Sequence, residues 1–457
     1  MIRAGGYSIL FLLCAHAIAQ GENNIWYFGE HAGIDFNQGV PVALLDGQVS
    51  TSEGCAVASD PAGALLFYTD GMTVWDRDHQ QMPNGFDLDG GASSTQSALI
   101  VPIGTTGNYY IISAEDIWTS TKNLSFSIVD MSLNGGYGDV TVKNEILLQG
   151  NSEKLAGTRH GNGAGHWVIS HSDLGDAFQA FLVTNAGISS TPVISNVGQA
   201  FAPYDGVGQM KISADGSKLA LACWGTHFVE LFDLDPLTGV VFNVRHIVMP
   251  PSFNSVYGLE FSASGQRLYA ANVNPGEVFQ WDLTNGDAVS INGSRTMISP
   301  GNGSSRGQLQ LGPDGRIYLA NEGSEWLSVI DSPEALGVAC DMQENGFHLG
   351  GMTSELGLPN VIHGSGHGPT NIVERFMRPM NVQPSIFNDH VEVWLGHGLS
   401  GEATLRAYGP SGSLVHEMII KDVSTPTSIE LGSLPEGAYV IECVHGDDRY
   451  SSRVIKQ

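Results

Sequence analysis

Three stretches decide the fold: KISADGSKLALAC at 211–223, EFSASGQRLYAAN at 260–272 and QLGPDGRIYLAN at 310–321. Each is an apolar strand, a tight turn ending in glycine, and a second apolar strand. Glycine supplies the positive φ that such hairpins require. A third strand follows each copy: FVELFDLD at 228–235, EVFQWDL at 277–283 and WLSVID at 326–331. Working outward, the triplet recurs towards the N-terminus. CAVASDPAGALLFYTD (55–70) leads to MTVWDRD (72–78), SALIVPIGTTGNYYIIS (97–113) to LSFSIVDM (124–131), and GTRHGNGAGHWVISH (157–171) to FQAFLVT (178–184). Six units at a spacing of roughly 45–57 residues match the period of propeller blades.

A seventh unit is split. Thr353–Ile362 has the pattern of a first strand with none after it, whereas IWYFGE, AGIDFN and PVALL near the N-terminus lack a first strand. Joining them completes a blade and removes the open sheet edge. The expected fold is all-β: a seven-bladed β-propeller, its last blade shared by both ends of the domain, followed by a small Ig-like β-sandwich. The expected domains are a signal peptide at 1–19, the propeller at 20–362, a linker at 363–375 and the sandwich at 376–457.

Composition agrees. Of 457 residues, 58 are glycine, 42% are hydrophobic and only 15% are charged, which suits tight turns around a large core. The formal net charge of −27 excludes an ordinary nucleic-acid groove and disfavours an anionic lipid surface. At the N-terminus Arg3 precedes the apolar run 8–19, and Ala17-Ile18-Ala19 forms a cleavage site before Gln20. No later run is long and apolar enough for a transmembrane segment. Cys55, Cys223, Cys340 and Cys443 remain after cleavage. They lack metal-type spacing and read as buried free thiols, with a Cys55–Cys340 bridge as the alternative.

Catalytic fingerprints are missing: there is no G-x-S-x-G, H-E-x-x-H, P-loop or dinucleotide motif. Ser213-Ala214-Asp215-Gly216 reads as a turn rather than a sialidase box, and Asp87-Leu88-Asp89 as a polar turn rather than a calcium loop. His160, His166 and His171 need not converge on zinc. The leading residues of the first strands should ring the channel mouth: Glu53, Gln96, Lys154, Asp205, Tyr257, Arg306 and Glu355. This mixture of acids, bases, an amide and a phenol suits a small-ligand site.

The tail carries Gln383-Pro384-Ser385-Ile386-Phe387-Asn388-Asp389, Leu405-Arg406-Ala407-Tyr408, Leu434-Pro435-Glu436-Gly437-Ala438-Tyr439 and Val454-Ile455-Lys456. In these it resembles the type A C-terminal sorting domain of the type IX secretion system of Bacteroidota, although its opening keeps only one proline of the usual proline-asparagine-proline. The resemblance implies Sec export, type IX machinery as a partner, and an extracellular or outer-membrane surface location. The propeller, through Trp26-Tyr27-Phe28-Gly29, Leu66-Phe67-Tyr68-Thr69-Asp70-Gly71 and Gly357-Leu358-Pro359-Asn360, resembles Bacteroidota surface propellers that carry such tails.

The first functional expectation is therefore a non-catalytic surface binding protein: an adhesin, or a glycan or protein binder with an unidentified extracellular ligand. The alternative is a propeller hydrolase or lyase, lactonase-like, with a divalent metal at the channel mouth and Glu53, Asp205 and Glu355 as its acids. A structural surface component is a third reading. No cofactor is expected, with calcium the alternative that the acidity leaves open.

Overall fold

A computed structural model describes residues 21–250, 255–301 and 303–362, and in the C-terminal part 381–383, 386–387, 389–394, 402–409, 413–421, 427–435, 437–445 and 448–456. The expected signal peptide at 1–19 and linker at 363–375 lie outside the described residues. The chain divides into two compact units, up to Gly368 and from Pro369. No described helix is long and apolar enough to cross a membrane.

The first unit is the seven-bladed propeller. Blade 1 is Ala56–Ser59, Leu65–Thr69 and Val74–Asp76, with Gln81 bridging Trp75 at the outer position. Blades 2 to 6 are antiparallel sheets whose inner strands are Ala98–Pro102, Asn151–Arg159, Met210–Ile212, Val256–Phe261 and Arg306–Leu311. Blade 7 is Ile25–Phe28, Ala32–Asp35 and Val42–Leu44.

Burial follows the ring. One apolar cluster joins blades 1 and 2 around Phe67, Val74, Ala98 and Ile111, and the next joins blades 2 and 3 around Leu99, Tyr110 and Phe181. Phe178, Leu221 and Phe232 join blades 3 and 4, and Leu231, Leu259 and Trp281 join 4 and 5. Tyr269, Leu309 and Leu319 join blades 5 and 6, Tyr318, Leu327 and Trp26 join 6 and 7, and Tyr27, Val57 and Tyr68 close 7 on 1. Each sheet hides on its two neighbours an apolar face that no single blade can bury. The four cysteines are buried free thiols, as expected.

The closing stretch differs in detail from the expected strand. Thr353–Ile362 runs beside Ile25–Phe28, tied at its ends by Glu30 N to Thr353 O (2.9 Å) and Asn23 Nδ2 to Ile362 O (3.1 Å). Between those ties it leans on blade 1: Leu356 N donates to Ser52 O (2.9 Å) and Asn360 N to Cys55 O (2.8 Å). A regular ladder cannot form there. Pro359 has no N–H to give, and a Cβ on Gly357 would fall 1.6 Å from the Glu53 carbonyl oxygen. The segment is a clasp laid across the first and last blades.

The second unit is the small Ig-like sandwich. One sheet contains Asn381–Gln383, His390–Trp394 and Thr427–Glu430. The other contains Ile386–Phe387, Ala403–Tyr408, Leu414–Ile420, Gly437–His445 and Asp448–Lys456. Val391, Val393 and Ile429 from the first face Leu405, Ile441, Cys443 and Val454 from the second.

Candidate functional site: a layered central channel

The inner strands approach so closely that their side chains fill the lumen in layers. The middle layer is a set of amides. Gln96 of blade 2 accepts from Leu155 N of blade 3 (3.3 Å) and Met210 N of blade 4 (2.8 Å), and its Nε2 donates to Met210 O (3.1 Å). Gln209 of blade 4 repeats this on blades 5 and 6, accepting from Leu259 N (2.9 Å) and Leu309 N (3.0 Å) and donating to Leu309 O (3.2 Å). Gln308 of blade 6 accepts from Leu358 N of the clasp (3.0 Å) and donates across the lumen to Thr95 O. Three glutamines thus pin the inner strands of blades 2 to 6 and the clasp. Further along lies a buried ion pair, Lys211 Nζ to Glu260 Oε2 at 3.2 Å, with Lys211 also donating to Gln310 Oε1 (2.5 Å).

The layer on the other side of the amides, at the strand entries, holds the reactive groups. Tyr257 donates its phenol proton to Glu53 Oε2 (2.8 Å), and Ser93 donates to Oε1 (3.1 Å). Glu153 Oε2 accepts from Thr95 N (2.8 Å) and Thr95 Oγ1 (2.7 Å), and Oε1 accepts from Ile117 N (3.0 Å). Burial, with Glu153 nearby, pushes the Glu53 carboxyl up to about 8. Burial raises Glu153 less, to about 6, because the Thr95 and Ile117 hydrogen bonds and the Lys154 charge favour its ionised form. Burial also raises the Tyr257 phenol well above its ordinary value.

The seven residues expected at the mouth do not form one ring. Glu53 and Tyr257 meet. Gln96 belongs to the amide floor. Lys154 is fully buried, its Nζ on the carbonyls of Val207 (3.2 Å), Gly208 (2.9 Å) and Ala222 (2.6 Å). Burial lowers its pKa. Asp205 locks a loop by accepting from Ala202 N, Thr226 N and Thr226 Oγ1, each at 2.8 Å. Arg306 is fully buried against Glu344, and among the described residues its Nε and Nη1 find no partner. Glu355 is half-buried, its carboxyl raised by burial and by Glu30 and Glu322.

The sequence reading missed Glu153, adjacent to Lys154, together with Ser93, Thr95, Gln209 and Gln308. One signal was present: Thr95-Gln96, Gly208-Gln209 and Gly307-Gln308 each stand just before or within an inner strand.

The residues do not suit a resident divalent ion. Oxygens of both glutamates are engaged by internal donors, and the high Glu53 pKa favours a proton there. Among the described residues no group of three or more His, Cys, Asp or Glu is placed to hold a metal. Asp215 is held by Ser213 and Ser217, so its box is a turn, while His171 lies flat on Phe201 with centroids 3.8 Å apart.

No protein-family model matches the sequence, and no curated protein matches it. Solved structures do. One from Bacteroides uniformis, provisionally named a 6-phosphogluconolactonase, is 13% identical over 73% of this chain and 98% of its own, with a TM-score of 0.48. The periplasmic gluconolactonase of Pseudomonas aeruginosa is 13% identical over 73% and 88%, with a TM-score of 0.38. A calcium-binding regucalcin from Agrobacterium tumefaciens is 16% identical over 67% and 93%, with a TM-score of 0.36.

The expectation of a non-catalytic binding protein is corrected at this point. Proteins named as lactonases recur among these structural neighbours, whose likeness to this chain is one of fold.

Proposed function

We propose that the propeller is a hydrolase acting on a small cyclic ester of the lactone type, with its reacting groups at the strand-entry end of the channel. The observation that carries the reading is the pair of buried glutamates held at separated pKa values, Glu53 at about 8 and Glu153 at about 6. Two carboxyls pushed apart by their surroundings supply an acid and a base at one pH. At neutral pH Glu53 holds its proton and Glu153 is largely ionised.

The step balances without a metal. Glu153 takes a proton from water as the water oxygen bonds to the lactone carbonyl carbon. The ring C–O bond then breaks, and the Glu53 proton goes to the departing ring oxygen. Tyr257 and Ser93, as donors to Glu53, stabilise the carboxylate left behind. Proton exchange with solvent restores both groups.

The test is acid release from glucono-1,5-lactone and a panel of other lactones, followed by pH-stat. Glu53→Gln and Glu153→Gln should each lower kcat by about 10²-fold or more, and a chelator should leave the rate unchanged. Wild-type protein that is no faster than buffer across the panel would refute the proposal. The tail's resemblance supports a further part of the reading, that the chain reaches the cell exterior through type IX machinery. Loss of export on deleting residues 376–457 tests it.

A further inference from the structure

Three large exposed rings cluster on the strand-entry face at blades 2 and 4. Trp118 is 68% exposed, Tyr204 47% and Trp224 38%. They form one cluster: Trp118 and Tyr204 have centroids 5.6 Å apart at 48°, and Tyr204 and Trp224 lie 6.4 Å apart at 88°. The rings therefore make a corner rather than a flat stack. Leaving so much aromatic surface in water on short polar loops forgoes burial that each ring would otherwise gain.

The loops beneath are fixed to the channel. Ile117, next to Trp118, donates its N–H to Glu153. Tyr204 sits at φ +73°, a left-handed conformation that a bulky side chain rarely adopts. The adjoining Asp205 carboxylate locks that loop by binding Thr226, two residues beyond Trp224. Trp224 N donates to Val207 O (3.2 Å), a carbonyl that also receives Lys154. A Cβ on Gly206 would come within 3.2 Å of Ile117 Cγ2, so the loops of blades 2 and 4 touch. Strain held in place by several independent ties marks a position kept for a purpose other than stability.

We infer that Trp118, Tyr204 and Trp224 form a subsite for the ring of an uncharged sugar, which carries the reacting lactone or its attached glycosyl unit to Glu53 and Glu153. Sugar rings present apolar C–H faces that pack on aromatic rings, with hydroxyls left at the edge. The charge around the entry selects against an anion. Glu53, Glu153, Glu355, Glu30 and Glu322 gather at that end, while Lys154 is spent on three carbonyls and Arg306 faces Glu344. Lys122, on the same loop as Trp118, is taken up by Asp173 at 2.6 Å, so among the described residues a sugar phosphate would meet carboxyls and lysine or arginine side chains already engaged. The inference rests on the lactone-hydrolase reading for its link to chemistry, and the two can fail separately.

The test uses the full chain with two probes, glucono-1,5-lactam and its 6-phosphate, titrated by calorimetry and tryptophan fluorescence. The neutral lactam should bind. Trp118→Ala and Trp224→Ala should each weaken it about tenfold; Trp118, the more exposed ring, should leave the unfolding midpoint nearly unchanged, and Trp224→Phe serves as the milder second variant. Glu53→Gln should retain lactam binding. Tighter binding of the phosphate, no binding of the lactam, or equal lactam affinity in the tryptophan variants would each overturn the subsite. Ring-dependent lactam binding by a protein that hydrolyses no lactone would leave the subsite standing and remove the hydrolase reading.

Discussion

Replacing Glu53 with glutamine should flatten the dependence of stability on pH. In the fold the Glu53 carboxyl is raised from 4.5 to about 8, chiefly by burial. A folded pKa above the unfolded one means that the folded state holds a proton the unfolded chain has released. The contribution is complete below about pH 4.5 and is lost as pH rises through about 8. Between pH 5 and 8 the slope is about 1.4 kcal/mol per unit, an upper limit of about 4 kcal/mol. Glu153 titrates in the same window and couples to it, so the share removed with Glu53 is about 2–4 kcal/mol. Glutamine keeps an oxygen for the Tyr257 hydroxyl and carries no titrating proton. The assay is urea unfolding of wild type and Glu53→Gln at pH 5, 6.5 and 8, read by tryptophan fluorescence. The sandwich unit is common to both proteins, so its own pH dependence cancels in the comparison. Wild type should lose about 2–4 kcal/mol more than the variant between the end points. Equal losses would refute both the burial of the carboxyl as a protonated acid and its assignment as the proton donor.

Gln209→Ala removes the partner of the buried Leu259 N, Leu309 N and Leu309 O, and should cost about 3 kcal/mol in urea unfolding. Gly357→Ala forces a methyl into the Glu53 carbonyl and should cost more than about 4 kcal/mol or prevent accumulation of folded protein. Gly293→Ala, with open space around its Cβ position, is the tolerated control, and circular dichroism melts compare the two. Lys211→Met leaves Glu260 buried without its cation and should cost about 3–5 kcal/mol by urea midpoint, with Lys211→Met/Glu260→Gln recovering much of the loss.

Hairpins are local, and that made the blades legible. Glycines 216, 265 and 315 sit at φ of 69°, 65° and 81°, the turn backbone expected from the repeats. The split seventh blade was readable by its missing parts, since strands without a first strand at one end matched a lone first strand at the other. The regular pairing expected for Thr353–Ile362 was not realised, because Pro359 and Gly357 favour a clasp over a ladder. Of the residues expected at the mouth, Glu53 and Tyr257 meet, while Lys154 turns to backbone carbonyls and its neighbour Glu153 takes the Thr95 and Ile117 hydrogen bonds. The inner strand of blade 3, Asn151–Arg159, explains the slip: Asn151–Thr158 are all buried, so the in-and-out alternation that marks a lumen-facing residue is erased.

By itself the sequence determined the all-β class, the repeat and the ring, because each depends on pattern within some fifty residues or on composition. Only the tertiary structure decided which polar side chains face one another across the lumen. Glu53 meets Tyr257, and Gln209 meets Leu309, through contacts 204 and 100 residues apart in the chain. Those meetings, and the desolvation that moves the glutamate pKa values, depend on how seven inner strands converge, and no local stretch of sequence encodes that convergence.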